Sequence, residues 1–521
     1  MKEIYLYDTT LRDGAQTEGI SYSLNDKIRI ARKLDEIGIH FIEGGWPANS
    51  KDKAFFDELI KKPLKKSCLT AFGSTRRPHI NITKDENLKG LLTAQTKVIT
   101  VFGKTWDLHV RDVLKTTLDE NLKMIYETVH YLKTKKKQVF YDAEHFFDAY
   151  KNNPEYTLKT LSAAINAGAD RIIFCDTNGG TLTEDIKPII SEINRNFKSD
   201  FGIHCHNDLG LAIANSITAL NSGCTQVQGT FNGYGERCGN ADLVAIIGIL
   251  KLKMGINCVS DIAIKELTKA ARFISEVSNM KQEERQPFVG HSAFAHKGGV
   301  HINAVLKNSK SYEHIDPKLV GNHRRVLVSE LAGKSPILIK AKEMELDLDK
   351  NSPRTKKILE LLQNLEHKGY AFEAADASFE VLVKKGLGKY KKFFDLDSFR
   401  VIIEKRENGK LYSEATIKIR VNNILEQTAA EGDGPVNALD NALRKALLGF
   451  YPSLSKMHLS DFKVRVLDEK AGTAAKVRVL IQSQDQAESW TTVGVSENII
   501  EASWQALVDS VEYKLLKDKT K

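Results

Sequence analysis

Over its first half the chain alternates short runs of β-branched and aromatic residues with longer stretches whose apolar positions recur every three to four residues. The alternation repeats about every 30 residues, the spacing of parallel βα units. Eight runs read as strands: 4–10, 40–46, 67–73, 97–103, 138–144, 171–177, 201–207 and 225–232. Between them 25–37, 118–132, 156–167 and 184–197 read as amphipathic helices, with Gly38, Gly168 and Gly223 placed as C-terminal stops. Eight such units predict a closed (β/α)8 barrel of the TIM type.

Downstream the pattern changes twice. From about Ser260 to Glu366 it turns helical, with Gly- and His-rich loops at 295–301 and 317–322, and reads as a linker subdomain. From about Ala374 it becomes strand-like at 379–384, 399–405 and 415–421, followed by a helix at 435–448. A second set has strands at 461–467, 475–482 and 490–495, then a helix at 498–516. Strands followed by a helix, twice over, predict an α+β module with an internal repeat, suited to regulation or dimerisation. The expected α/β architecture is therefore a catalytic barrel at 1–259, a helical linker at 260–373 and a C-terminal allosteric or dimerising domain at 374–521.

Composition narrows the class. A chain of 521 residues with 42% hydrophobic and 27% charged content is long enough for several cores. No run approaches the roughly 18 apolar residues of a membrane span. The first residues enter strand-like sequence without a secretory-signal layout, so a cytoplasmic location is expected. Six cysteines, scattered without CxxC pairs, predict reduced and mostly buried thiols rather than a disulfide framework. The net charge of +9 is modest for this length, and the lysine runs lack aromatic interleaving, so no nucleic-acid partner is expected. A basic rim would still attract an anionic substrate.

The unusual polar residues cluster at or just past the C-terminal ends of the predicted strands, where barrel enzymes build their active sites. Among them are Asp8, Arg12, Asp13, Glu43, Glu144, Asp176, Thr177, His204, His206 and Asn232. His204 and His206, two apart on one strand, point to one face while Cys205 points to the other. Two imidazoles beside carboxylates suit a divalent transition metal. Strands seven, eight and one are neighbours in a closed barrel, so Asp13 and Asn240 reach the same ion. Positions left open would accept a small 2-oxo acid through its keto and carboxylate oxygens. Arg12 is placed to hold negative charge on the polarised oxygen, or to pair with Glu43 or Glu144. Glu144 is placed to orient Arg12, position a water or move a proton. The Gly-rich loop 233–240 is by itself a weak signal, neither a P-loop nor a dinucleotide fingerprint.

Three motifs in order, Asp8-Thr-Thr-Leu-Arg-Asp-Gly-Ala-Gln16, His204-Cys-His-Asn-Asp208 and Gly233-Tyr-Gly-Glu-Arg-Cys-Gly-Asn240, resemble the acetyl-CoA-condensing barrel family of isopropylmalate, homocitrate and citramalate synthases. The resemblance implies acyl transfer by Claisen-type condensation. It implies metal ligation by Asp13, His204, His206 and Asn240, without distinguishing Mn, Mg, Zn or Co. It makes Arg12 and Thr177 substrate contacts and Glu144 a catalytic carboxylate. His296-Lys-Gly-Gly-Val-His301 is similar to the family's linker motif, which enters the partner subunit's active site; this implies catalytic roles for His301 and Tyr312. The segments 430–438 and 492–502 resemble the family's allosteric amino-acid-binding domain, implying an amino-acid effector and a homodimer.

Within the family, the segments 102–110, 143–148 and 175–180 look most like the citramalate synthase branch. That branch implies acetyl-CoA and pyruvate as substrates, isoleucine as effector and a place in isoleucine biosynthesis. The alternatives at this point are isopropylmalate or homocitrate synthase, a carbon–carbon lyase on the same barrel, and a non-catalytic amino-acid sensor.

Overall fold

Each of the eight predicted strands forms, and each falls within one or two residues of its expected start. In the computed structural model they are β1 (Tyr5–Asp8), β2 (Phe41–Glu43), β3 (Cys68–Ser74), β4 (Val98–Lys104), β5 (Gln138–Glu144), β6 (Arg171–Asp176), β7 (Phe201–Cys205) and β8 (Gln226–Gly229). All neighbours run parallel, and β8 returns to β1 with Tyr5 opposite Gln226 and Asp8 opposite Gly229, so the barrel closes. The structure describes residues 3–326, 352–372, 375–388, 390–405, 407, 409–467, 475–485 and 489–518.

Strand sequence is dictated by burial on both faces. In β6 every residue from Arg171 to Asp176 is buried. The helices follow their caps. Helix Leu24–Ile37 starts in a capping box between Ser23 and Asp26 and ends at Gly38, whose φ of 92° only glycine adopts without strain. Inside the barrel, side chains stack in layers. Tyr7, Val98 and Phe140 pack with Phe41 and Cys68 in an apolar layer. Above it the Tyr7 hydroxyl donates to Glu43 at 2.5 Å and shares hydrogen bonds with Thr70 at 3.0 Å and Thr100 at 2.8 Å. A polar floor therefore lies directly beneath the barrel mouth.

The chain divides into two compact units, Met1–Phe294 with His314–Arg324, and Ala295–Glu313 with Arg325–Lys521. In the first, helix Leu267–Val277 buries Leu267, Ala270, Ala271 and Ile274 in the barrel's outer core. In the second, helices Gly299–Lys307 and Pro353–His367 form within the stretch expected to be helical. Positions 327–351 of that stretch, and the expected domain boundary at 373–374, lie outside the described residues.

The C-terminal repeat is present with one strand exchanged for another. Each copy is a three-stranded antiparallel sheet followed by a helix. The first has strands Asp395–Lys405, Leu411–Val421 and Ile424–Gly432 and helix Pro435–Leu448; the second has His458–Val466, Val477–Gln484, Ser489–Ser496 and helix Ile499–Asp518. The expected strand at 379–384 is instead part of helix Asp376–Gly386. Its alternating apolar residues serve two faces of one helix: Ala377 and Val381 enter one core, Phe379 and Val383 another. Two i,i+4 pairs offset by two residues imitate a strand. The strand Ile424–Gly432 escaped notice because it is largely polar. Its signal is the turn before it, where Asn422 and Asn423 have φ of 48° and 68°, as a two-residue hairpin requires.

Candidate metal and active site

Asp13 lies in the turn after β1, His204 near the end of β7, His206 just beyond it, and Asn240 in the loop after β8. Potential ligand atoms of Asp13, His204 and His206 all fall within 4.8 Å of one another, and all three residues are buried. The Nε2 of His204 is 3.7 Å from Oδ2 of Asp13. Asn240 is tied to the same region through its backbone, which bridges to His206.

Buried polar atoms normally have partners. Here Asp13 Oδ2, His206 Nδ1 and both side-chain heteroatoms of Asn240 are buried without one, among the described residues. Burial holds the imidazole of His204 below its ordinary pKa, and burial together with His204 lowers that of His206 to about 3. Burial works against the carboxylate of Asp13, but the Arg12 guanidinium beside it opposes that, and its pKa lies below the ordinary range. Two neutral imidazoles and one carboxylate, brought within 4.8 Å of one another, are a donor set for a divalent cation of borderline hardness, and the buried, partnerless amide of Asn240 lies on the adjoining loop.

The loop 233–240 is shaped to present Asn240. Gly239 has φ of 85°, and a Cβ there would lie 2.1 Å from the carbonyl oxygen of Gly233. Arg237 clamps the loop, donating to both carboxylate oxygens of Asp208 at 2.7 and 3.0 Å and to the Thr177 carbonyl at 2.8 Å. The loops after β6, β7 and β8 are thereby tied together.

Arg12 is fixed on three sides. Its Nε donates to the buried carboxylate of Glu43, its Nη1 donates to Asp13, and its guanidinium carbon sits 3.8 Å from the centre of the Phe72 ring. Burial disfavours the guanidinium charge, but Asp13 and Glu43 more than compensate, so Arg12 stays cationic. The expected pairing with Glu43 is thus observed. Glu144, however, pairs with Lys104. Thr177 accepts a hydrogen bond from the backbone N–H of His145 at 2.9 Å, which leaves its hydroxyl proton available to an anionic ligand.

His301 and Tyr312 belong to the second unit, where their rings stack with centroids 4.1 Å apart. Both residues are exposed, Tyr312 by about half. Several neighbours were not evident from the sequence. Lys104 is one. Gln228, whose side chain joins His204 to Asp142, is another. A third group is His109 and His145, 4.4 Å apart between ring centroids, with His145 3.3 Å from Asp148. The one local sign was the pair of His-containing segments at 102–110 and 143–148.

Comparison with known proteins covers nearly the whole chain. Residues 3–274 match the HMGL-like family, 288–369 the homocitrate synthase post-HMGL domain-like family, and 373–515 the LeuA allosteric (dimerisation) domain. The chain is 55% identical to an (R)-citramalate synthase of Aquifex aeolicus, with 99% of each chain covered. It is also 55% identical to an (R)-citramalate synthase of Geobacter sulfurreducens, covering 100% of this chain and 99% of that one. A 2-isopropylmalate synthase of Methanocaldococcus jannaschii is more distant, at 30% identity over 99% of this chain and 95% of the other.

Proposed function

This chain belongs to the citramalate synthase family, and from that premise we propose that it condenses acetyl-CoA with pyruvate and hydrolyses the resulting thioester, releasing citramalate and CoA. The observation that carries the chemistry is the convergence of Asp13, His204 and His206, with Asp13 Oδ2 and His206 Nδ1 buried and partnerless, beside a cation, Arg12, that is already fixed in place.

Asp13, His204, His206 and Asn240 would hold a divalent ion, which when bound supplies Lewis-acid polarisation of a 2-oxo acid carbonyl. Arg12 neutralises the negative charge that grows on that oxygen, and because Glu43 and Asp13 pre-orient it, little reorganisation is needed in the transition state. Thr177 donates its hydroxyl proton to the substrate carboxylate. His301, reaching in from the partner subunit with Tyr312 stacked on it, takes a methyl proton from acetyl-CoA. The resulting enolate carbon bonds to the keto carbon as the C=O π pair moves onto the keto oxygen, which takes up a proton and stays on the product as its tertiary hydroxyl. Glu144, held by Lys104, positions the water that then adds to the thioester carbonyl and releases the CoA thiol. Orienting both reactants at one barrel mouth contributes several kcal/mol, on the order that effective molarities measure.

Residues 1–259 provide this chemistry, 260–373 deliver His301 and Tyr312, and 374–521 dimerise the chain and bind the effector isoleucine. Among the described residues no helix is long and apolar enough to cross a membrane. The reaction proposed here would belong to the cytoplasmic synthesis of isoleucine.

The test follows free thiol release from acetyl-CoA over a panel of 2-oxo acids, with and without isoleucine and leucine. Pyruvate should be preferred and isoleucine should inhibit. Preference for 2-oxoisovalerate would convert the assignment to isopropylmalate synthesis, and absence of thiol release with every acid would overturn the condensing reaction.

A further inference from the structure

His204 and Gln228 are register partners on adjacent strands β7 and β8, and both side chains turn into the barrel. Gln228 has no solvent exposure, and His204 and Asp142 are 5% and 4% exposed. The Oε1 of Gln228 lies 3.0 Å from Nδ1 of His204, and its Nε2 donates to Oδ1 of Asp142 on β5 at 3.3 Å. A line of hydrogen bonds therefore runs from β5 across the barrel interior to the back of one imidazole.

The direction of that line matters. An amide that gives its hydrogens to Asp142 has only its carbonyl left for the histidine, and a carbonyl oxygen accepts. With the amide oriented in that sense, His204 carries its hydrogen on Nδ1, which leaves a lone pair on Nε2. That lone pair faces Asp13 Oδ2 across 3.7 Å, and Asp13 Oδ2 has no hydrogen-bond partner. Two lone pairs opposed across such a gap repel unless a cation lies between them.

We propose that Gln228, oriented by Asp142, is a positioning residue that locks His204 in the Nδ1–H tautomer and aims its Nε2 lone pair at the metal. The inference rests on the reading of Asp13, His204 and His206 as a cation site and adds the element that orients it. Outer partners of this kind fix ring orientation and ligand basicity, and losing one typically costs about 10- to 100-fold in metal affinity. The two contacts of Gln228 predict how its substitutions differ. Gln228→Met keeps the volume and removes both hydrogen bonds. Gln228→Glu keeps an acceptor against His204, and the line is retained if Asp142 supplies the hydrogen between the two carboxyl groups.

The experiment titrates the metal-free protein with Co2+ alone, in competition with a chromophoric chelator, for wild type, Gln228→Met, Gln228→Glu and His204→Ala. Gln228→Met should weaken Co2+ binding by about 10- to 100-fold. Gln228→Glu should stay within about threefold of wild type, or bind more tightly. Wild-type affinity in folded Gln228→Met, or equal losses in both Gln228 variants, overturns the proposal. Should His204→Ala also bind Co2+ like wild type, the cation site itself is wrong; if His204→Ala loses the metal while Gln228→Met keeps it, only the positioning role falls. Independently of any Gln228 variant's folding, 15N-histidine spectra of the metal-free wild type, with His204 assigned by its absence in His204→Ala, should show the proton on Nδ1. A proton on Nε2 overturns the inference.

Discussion

Glu43, wholly buried at the end of β2, accepts from the Nε of Arg12, while the guanidinium it holds has its carbon 3.8 Å from the centre of the Phe72 ring. The carboxylate is itself tethered from below by the Tyr7 hydroxyl at 2.5 Å. Burial raises its pKa and Arg12 opposes that rise, with Asp13 adding to it. Glu43 thus aims the cation rather than the chemistry. Glu43→Ala should cost on the order of 3 kcal/mol of stability, because it strips a partner from a charge held in a low-dielectric site. Glu43→Gln, which can still accept, should stay folded and lower kcat by roughly tenfold through a misaimed Arg12. Denaturant titration and steady-state kinetics check both; unchanged kcat in Glu43→Gln would remove the orienting role.

Removing the metal should abolish thiol release, and a divalent ion should restore it. In His206→Ala, restoration should fail or require at least about 100-fold more metal, as expected when a ligand rather than an outer partner is lost. Full recovery at wild-type metal concentrations would show that His206 is not a ligand.

Gly239→Ala introduces a Cβ 2.1 Å from the Gly233 carbonyl oxygen at a residue whose φ is 85°. The loop must shift, and Asn240 moves with it. Metal affinity should fall by roughly tenfold while thermal stability drops by only about 1 to 2 kcal/mol, the usual range for a strained loop position. Equal metal affinity in the variant would mean that Asn240 does not contribute to binding.

Asp8 is fully buried, and burial pushes its carboxyl up to about 7, against hydrogen bonds from Thr10 that lower it. In the unfolded chain the same group titrates near 4. Between those values the native state binds the proton and the unfolded state does not, so stability falls as pH rises from about 4 to 7. The slope from this group approaches about 1.4 kcal/mol per pH unit at most. Urea unfolding across that window should show a flatter profile in Asp8→Asn than in wild type; identical slopes would place the titration elsewhere.

His301→Asn should lower kcat by about 100- to 10,000-fold, as for loss of a general base, with a smaller effect on KM for acetyl-CoA. If His301 serves the partner's barrel, co-refolding His301→Asn with inactive Arg12→Ala should restore activity, because mixed dimers contain one intact site. Continued inactivity of the mixture would place His301 in its own subunit's site.

Much of this was legible in the residues. The strands of the barrel are buried on both faces, so they appear as continuous apolar runs with punctuating helices, and Gly38 marks a helix end by its lack of a side chain. His204 and His206 could be paired from the two-residue period of a strand alone. The strand-like reading of 379–384 failed for a definite reason: periodicity records which residues are buried, not how many cores bury them, and this helix serves two. The polar strand Ile424–Gly432 is held by backbone pairing to Leu411–Val421, which leaves little trace in side-chain type.

By itself, then, the sequence determined the (β/α)8 barrel, the repeat at the C-terminus and the cluster of Asp13, His204 and His206 that could hold a metal. Local spacing encodes these, because strand and helix periods are properties of neighbouring residues. Only the tertiary structure decided the partners: Glu43 rather than Glu144 for Arg12, Lys104 for Glu144, and Gln228 with Asp142 behind His204. Those contacts join residues 24 to 86 positions apart, and whether two such side chains meet is set by barrel closure and strand register, which no local pattern records.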